Sequence, residues 1–87
     1  MDGADRTIDR PFFLSRRQRQ CLTLAGQGRF DREIGETLGI SLATVRNHLV
    51  AARRRLKARN TAQAVAVAVQ QRLISVDIPP EVGDGRS

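Results

Sequence analysis

The sequence predicts an all-α domain of four short helices. Three observations lead there. Leu, Ile, Val and Ala recur at helical spacing in four separated stretches between residues 14 and 74. Aromatic residues are scarce, with three Phe and no Trp or Tyr, which removes the side chains that large β cores lean on. Capping or breaking residues stand between the stretches. With 87 residues there is one small core at most, and a chain this short buries only about 60–65% of its unfolded surface.

Each helix has its own local signals. Ser15 is a good N-cap for the first, and Gln18 three positions on completes a capping box. Leu14, Cys21, Leu22 and Ala25 set its inner face, and Gly26 or Gly28 ends it. Asp31 caps a short second helix with Ile34 and Leu38 inward, and Gly39 breaks it. Ile40 fills the corner. Ser41 caps the third helix, whose inner stripe is Val45, His48, Leu49, Ala52 and Leu56. Asn60 or Thr61 starts the fourth, with Val65, Ala68 and Val69 inward. Leu73 and Ile74 close the core behind it.

Charge divides the chain into three. The whole carries +6, and fourteen of its fifteen bases are Arg. Residues 15–59 hold eleven Arg and Lys against Asp31, Glu33 and Glu36, while each flank is slightly acidic. A basic block of this kind is the electrostatic footprint of a nucleic-acid binder, and Arg presents a planar fork of donors suited to phosphate and guanine. The folded domain is expected over residues 12–76. Residues 1–11 and 77–87 are polar or rich in Pro and Gly and read as disordered tails.

Several classes are disfavoured. The lone Cys21 allows no internal disulfide and no four-Cys zinc site. His48 is the only His, so no metal site is expected, and no cofactor. No paired carboxylates, phosphate-cradling Gly loop or nucleophile–base pair stands out, so no enzymatic role is expected. The N-terminus lacks the basic and apolar regions of a secretory signal, and no apolar run approaches about 18 residues. The expected setting is cytoplasmic, with no membrane partner.

A short helix, a turn containing Gly, then a longer helix is the helix-turn-helix pattern. Here it is Ile34 to Leu38, Gly39-Ile40-Ser41, and Leu42 onward. The longer stretch from Leu14 to Ile74 resembles the LuxR-type (GerE-like) helix-turn-helix domain of bacterial transcription regulators. The matching blocks are Leu14-Ser15-x-Arg17 with Leu22, then Ala25 with Gly28, and Glu33-Ile34-Gly35. Leu38-Gly39-Ile40-Ser41, Thr44-Val45-Arg46-x-His48, Arg55-Leu56-Lys57 and Ala62-Gln63-Ala64-Val65-Ala66 follow in order, and then Leu73-Ile74. In detail the stretch is most similar to the DNA-binding domains of quorum-sensing regulators.

The resemblance implies a four-helix bundle whose third helix, about 41–57, lies in the major groove. It makes Arg46 a base reader, and bidentate Arg to guanine is the commonest specific contact. Asn47 becomes its neighbouring reader, with adenine as the natural partner. Thr44 becomes a phosphate contact, and Arg53 and Arg54 grip the backbone further along. Val50 stands where relatives often place Lys or Arg, and an apolar side chain there reads a thymine methyl or nothing. Other departures are Gln18 and Gln20 where the family usually shows Glu, and Phe30 where it places a Ser or Thr cap. Cys21 occupies an apolar position and reads as a buried inert thiol, and His48 as a packed, hydrogen-bonded side chain.

The family pairs through its fourth helix. With Val65 at the centre of the inner face, Val67 points almost the opposite way, flanked by Gln63, Gln70 and Gln71, which together form the expected dimer seam. The implied partner is double-stranded DNA bearing a pseudo-palindromic operator, read by a homodimer, with RNA polymerase as a further contact. The family's usual N-terminal signal domain does not fit in eleven polar residues, so the expected role is a small transcription regulator without one. The rival reading is an interaction protein that heterodimerises with a longer LuxR-type regulator and keeps it off DNA. A sigma-factor region-four module shares the first three helices but not the long Ala/Val-rich fourth.

Overall fold

The computed structural model describes residues 13–77. The tail readings for 1–11 and for all but Asp77 of 77–87 lie outside the described residues. Four helices follow in order: α1 (Arg16–Gly26), α2 (Asp31–Leu38), α3 (Leu42–Arg55) and α4 (Thr61–Gln70). No strand occurs among the described residues. The fold is an all-α helix-turn-helix bundle. α1 and α3 each pack against every other helix, while α2 and α4 flank that pair without meeting one another.

Helix starts follow the capping chemistry. Gln18 N–H donates to Ser15 Oγ at 3.1 Å, and Ser15 N–H donates to Gln18 Oε1 at 3.0 Å. Ser41 Oγ accepts from Thr44 N–H at 3.0 Å, and Asn60 Oδ1 from Gln63 N–H at 2.8 Å. The start of α2 corrects the expectation. Its N-cap is Phe30, and Asp31 is already helical. Phe30 has no side-chain acceptor, so only half a capping box exists, with Phe30 N–H donating to Glu33 Oε1 at 2.8 Å.

Three helix ends close as Schellman turns. After α1, Gly28 N–H reaches Ala25 O and Arg29 N–H reaches Leu24 O, with Gly28 in left-handed backbone at φ 92°. Gln27, between the two glycines proposed as terminators, is the C-cap. The same bonds end α3 and α4, but there the left-handed residues are Lys57 and Arg72.

The core holds Leu14, Cys21 and Leu22 from the α1 side, Ile34 from α2, and Val45, Leu49, Ala52 and Leu56 from α3. Ala64 and Ala68 of α4 and Ile74 complete it. Burying one Leu, Ile or Val side chain contributes about 1.5–3 kcal/mol. The expected face of α4 is rotated. Ala64 and Ala68 are fully buried, Val65 and Val67 pack at the flanks, and Val69 points outward with 43% exposure. Val65 and Val67 thus lie on opposite flanks of the alanine stripe, and Val67 does not face away from the core as expected. Alanine at the closest approach lets α4 lie tightly on its neighbours, and the valines fill the edges. Beyond α4, Val76 folds over Gly26, where a Cβ would lie 2.9 Å from Val76 Cγ2.

Candidate nucleic-acid interface

The α2–α3 corner sets the site. Gly35 is buried in α2, and a Cβ there would stand 2.7 Å from the backbone oxygen of Ile40. Its missing side chain lets the turn lie directly on α2. Gly39 adopts φ 71°, a conformation glycine takes without strain. Ile40 N–H then donates to Gly35 O at 3.0 Å, and Ser41 starts α3.

The buried stripe of α3 fixes what its other side presents. At about 100° per residue, Arg46, Asn47, Val50 and Arg54 share one sector opposite Val45, Leu49, Ala52 and Leu56. Arg46, Asn47 and Arg54 are exposed and Val50 is half-buried. Thr44 and Arg53 lie at the two flanks of this sector, and both are half-buried. Thr44 Oγ1 is 2.8 Å from Ser41 Oγ. With Ser41 as donor in that contact, the Thr44 proton is free for an outside acceptor.

The basic side chains differ in their freedom. Arg46 Nε lies 3.6 Å from Asp31 Oδ2. Arg53 has its Nε enclosed with no partner among the described residues. It lines a hollow of about 250 Å³ with Asp31, Arg46, Leu49, Val50 and Thr61. Arg55 turns away from the sector, its guanidinium 5.8 Å from the Phe13 ring centre and its Nη1 3.5 Å from Phe13 O. Of the Arg53-Arg54-Arg55 run, only Arg54 is wholly free on the outer face.

Sequence reasoning left two neighbours of this face without a role in it. Asp31 reads from sequence as a cap, and its proximity to Arg46 depends on how α2 packs on α3. Phe30 is 72% exposed and shares a second hollow with Arg29, Asp31, Arg32, Leu42 and Arg46.

The expected dimer residues are divided. Gln70 and Gln71 are exposed. Gln63 is exposed too, but its Oε1 accepts from Arg59 N–H at 2.7 Å and so serves the start of α4. Val67 is partly buried against the core, and Val69 is the outward valine. Cys21 is fully buried, and burial pushes its thiol above the usual range. Asp31 adds to that shift and Arg17 opposes it. His48 is half-buried on the flank of α3, and no described residue hydrogen-bonds its ring. No cluster of three or more metal-ligating side chains occurs among the described residues, and no helix there is long and apolar enough to cross a membrane.

Known proteins resemble the chain in sequence and in fold. Residues 13–68 match the family described as bacterial regulatory proteins, luxR family. YhjB of Escherichia coli K12, named as an HTH-type transcriptional regulator, is 47% identical over 51 residues, covering 59% of this chain and 26% of that protein. The transcriptional activator protein BjaR1 of Bradyrhizobium diazoefficiens is 40% identical over 62 residues, covering 71% of this chain and 26% of its own length. The chain thus spans about a quarter of the length of the curated relatives it matches. The solved structure of the transcription factor GerE superposes with a TM-score of 0.70 at 28% identity, over 74% of this chain and 96% of that one. With the family match spanning residues 13–68 and a bundle like that of GerE, the chain belongs to the luxR-type helix-turn-helix regulators, a family of DNA-binding transcription regulators.

Proposed function

We propose that the protein binds double-stranded DNA sequence-specifically, with α3 lengthwise in the major groove. One observation carries this reading: the side of α3 turned away from the core presents Arg46, Asn47 and Arg54 together to solvent, with Val50 half-buried among them. Arg46 reads guanine, Asn47 reads adenine, and Val50 meets a thymine methyl or no base atom. Thr44 and Arg54 hold phosphates, and Arg53 adds its charge from the flank.

Two copies pair through the outer face of α4, where Gln63, Gln70 and Gln71 remain exposed and Val69 takes the place expected of Val67. Pairing sets two α3 helices about one turn of duplex apart on a pseudo-palindrome.

Selection of bound duplexes from a random pool at fixed salt tests the proposal, since it reports preferred sequence and half-site spacing together. Arg46→Ala is expected to flatten preference at one base pair per half-site, a discrimination of about 1–3 kcal/mol. Arg54→Ala is expected to weaken all duplexes alike. Both variants binding selected and random duplexes as the wild type does would place the interface elsewhere.

A further inference from the structure

An acid stands within the basic face. Asp31 opens α2, and its Oδ2 is 3.6 Å from Nε of Arg46, with the two side chains 40% and 64% exposed. Arg29 and Arg32 line the same hollow. So exposed a pair adds little to folding. Its geometry bears on recognition instead. The carboxylate approaches Nε, and neither terminal amino group of Arg46 hydrogen-bonds to any described residue. Those amino groups are the donors that a bidentate contact with guanine O6 and N7 can use.

We propose that Asp31 is a specificity-determining positioning residue: it steadies the Arg46 guanidinium from behind and biases it toward a base edge over a phosphate. This rests on the reading of α3 as the groove-reading helix. A guanine edge is neutral, so it can take the free amino groups while Asp31 keeps Nε. A phosphate drawn to Arg46 must approach the Asp31 carboxylate and is repelled by it. The acid therefore weakens sequence-independent binding more than it weakens operator binding.

The test uses the full 87-residue chain as wild type, Asp31→Asn, Asp31→Glu, Arg46→Ala and the Asp31→Asn/Arg46→Ala double variant. The probes are the selected duplex and a random-sequence duplex of equal length, at one salt concentration, with a thermal melt for each variant. Asp31→Asn is expected to tighten the random duplex by about three- to tenfold, through loss of one repelling charge. Because the selected duplex tightens less, the selected-to-random ratio is expected to fall by about two- to fivefold. Asp31→Glu restores part of the ratio. With Arg46 already replaced, Asp31→Asn still tightens the random duplex but no longer changes the ratio.

The inference is overturned if Asp31→Asn shifts both duplexes alike, or if it lowers the ratio equally with and without Arg46. In that event a wild type that still discriminates, through Arg46, leaves the groove-reading helix intact. A wild type that cannot tell the two duplexes apart overturns both.

Discussion

Lys57 and Arg72 hold left-handed backbone, φ 56° and 63°, at the same turn position that Gly28 occupies after α1. A side chain in that conformation costs roughly 1–2 kcal/mol, partly offset by the extra freedom glycine has when unfolded. Arg72 lies beyond α4, away from the outer face of α3. Arg72→Gly is therefore expected to stabilise the fold by about 0.5–1 kcal/mol and raise the melting midpoint by a few degrees. A lowered midpoint in a thermal melt would contradict this. Residue-scale features of this kind were legible only where the chemistry is local. Ser15 with Gln18, and Ser41, act across three positions and can be read from the letters alone. Left-handed Lys57 and Arg72 carry no such letter, because the turns are imposed by where Leu56 and Leu73 must pack. The Asp31–Arg46 contact joins residues fifteen apart and needs the corner between two helices to exist first.

At the scale of the element, the α2–α3 corner depends on one absent methyl. Helix propensity alone favours Ala over Gly by about 1 kcal/mol, so Gly35→Ala would stabilise an isolated helix. In the bundle the new Cβ would meet the Ile40 carbonyl at 2.7 Å, a backbone atom with little room to move. Overpacking of this sort costs about 1–3 kcal/mol, and it outweighs the propensity gain. Gly35→Ala is expected to lower the urea midpoint and to weaken duplex binding, because α3 must tilt to make space. An unchanged or higher midpoint would show that the corner has slack. The helix-turn-helix itself was legible, since Gly39 and Ser41 fix where one helix stops and the next begins. The face of α4 was not. Alternating Ala and Val give hydrophobicity no preferred side, and size at the closest approach to α1 and α3 decides it in favour of Ala64 and Ala68.

For the whole molecule the dominant quantity is charge. Ten of the eleven bases in residues 15–59 are Arg, and the net charge of the chain is +6. Duplex binding should weaken with salt by a log–log slope of about 0.9 for each phosphate neutralised. Arg54→Ala is expected to reduce that slope by about one per protomer. Arg46→Ala should change it less, because a base reader neutralises no phosphate directly. Titrations at several salt concentrations decide this, and equal slopes for wild type and Arg54→Ala would remove Arg54 from the backbone contacts. The all-α class and the basic middle were readable from composition and periodicity, whereas which arginines remain free was not. Phe13 draws Arg55 aside, and the α3–α4 hollow encloses part of Arg53.

The backbones of the second and fourth helices make no close approach to each other. Apart from the hollow that Asp31 and Thr61 both line, an event on the fourth reaches the second by way of α1 and α3, whose shared side is close-packed. Joining two copies through the side of α4 turned away from the bundle would add no contact to the α2–α3 corner and act by tethering: once one head is seated, its twin searches a small volume at high local concentration. Such avidity depends on the span between half-sites and adds no contact to either.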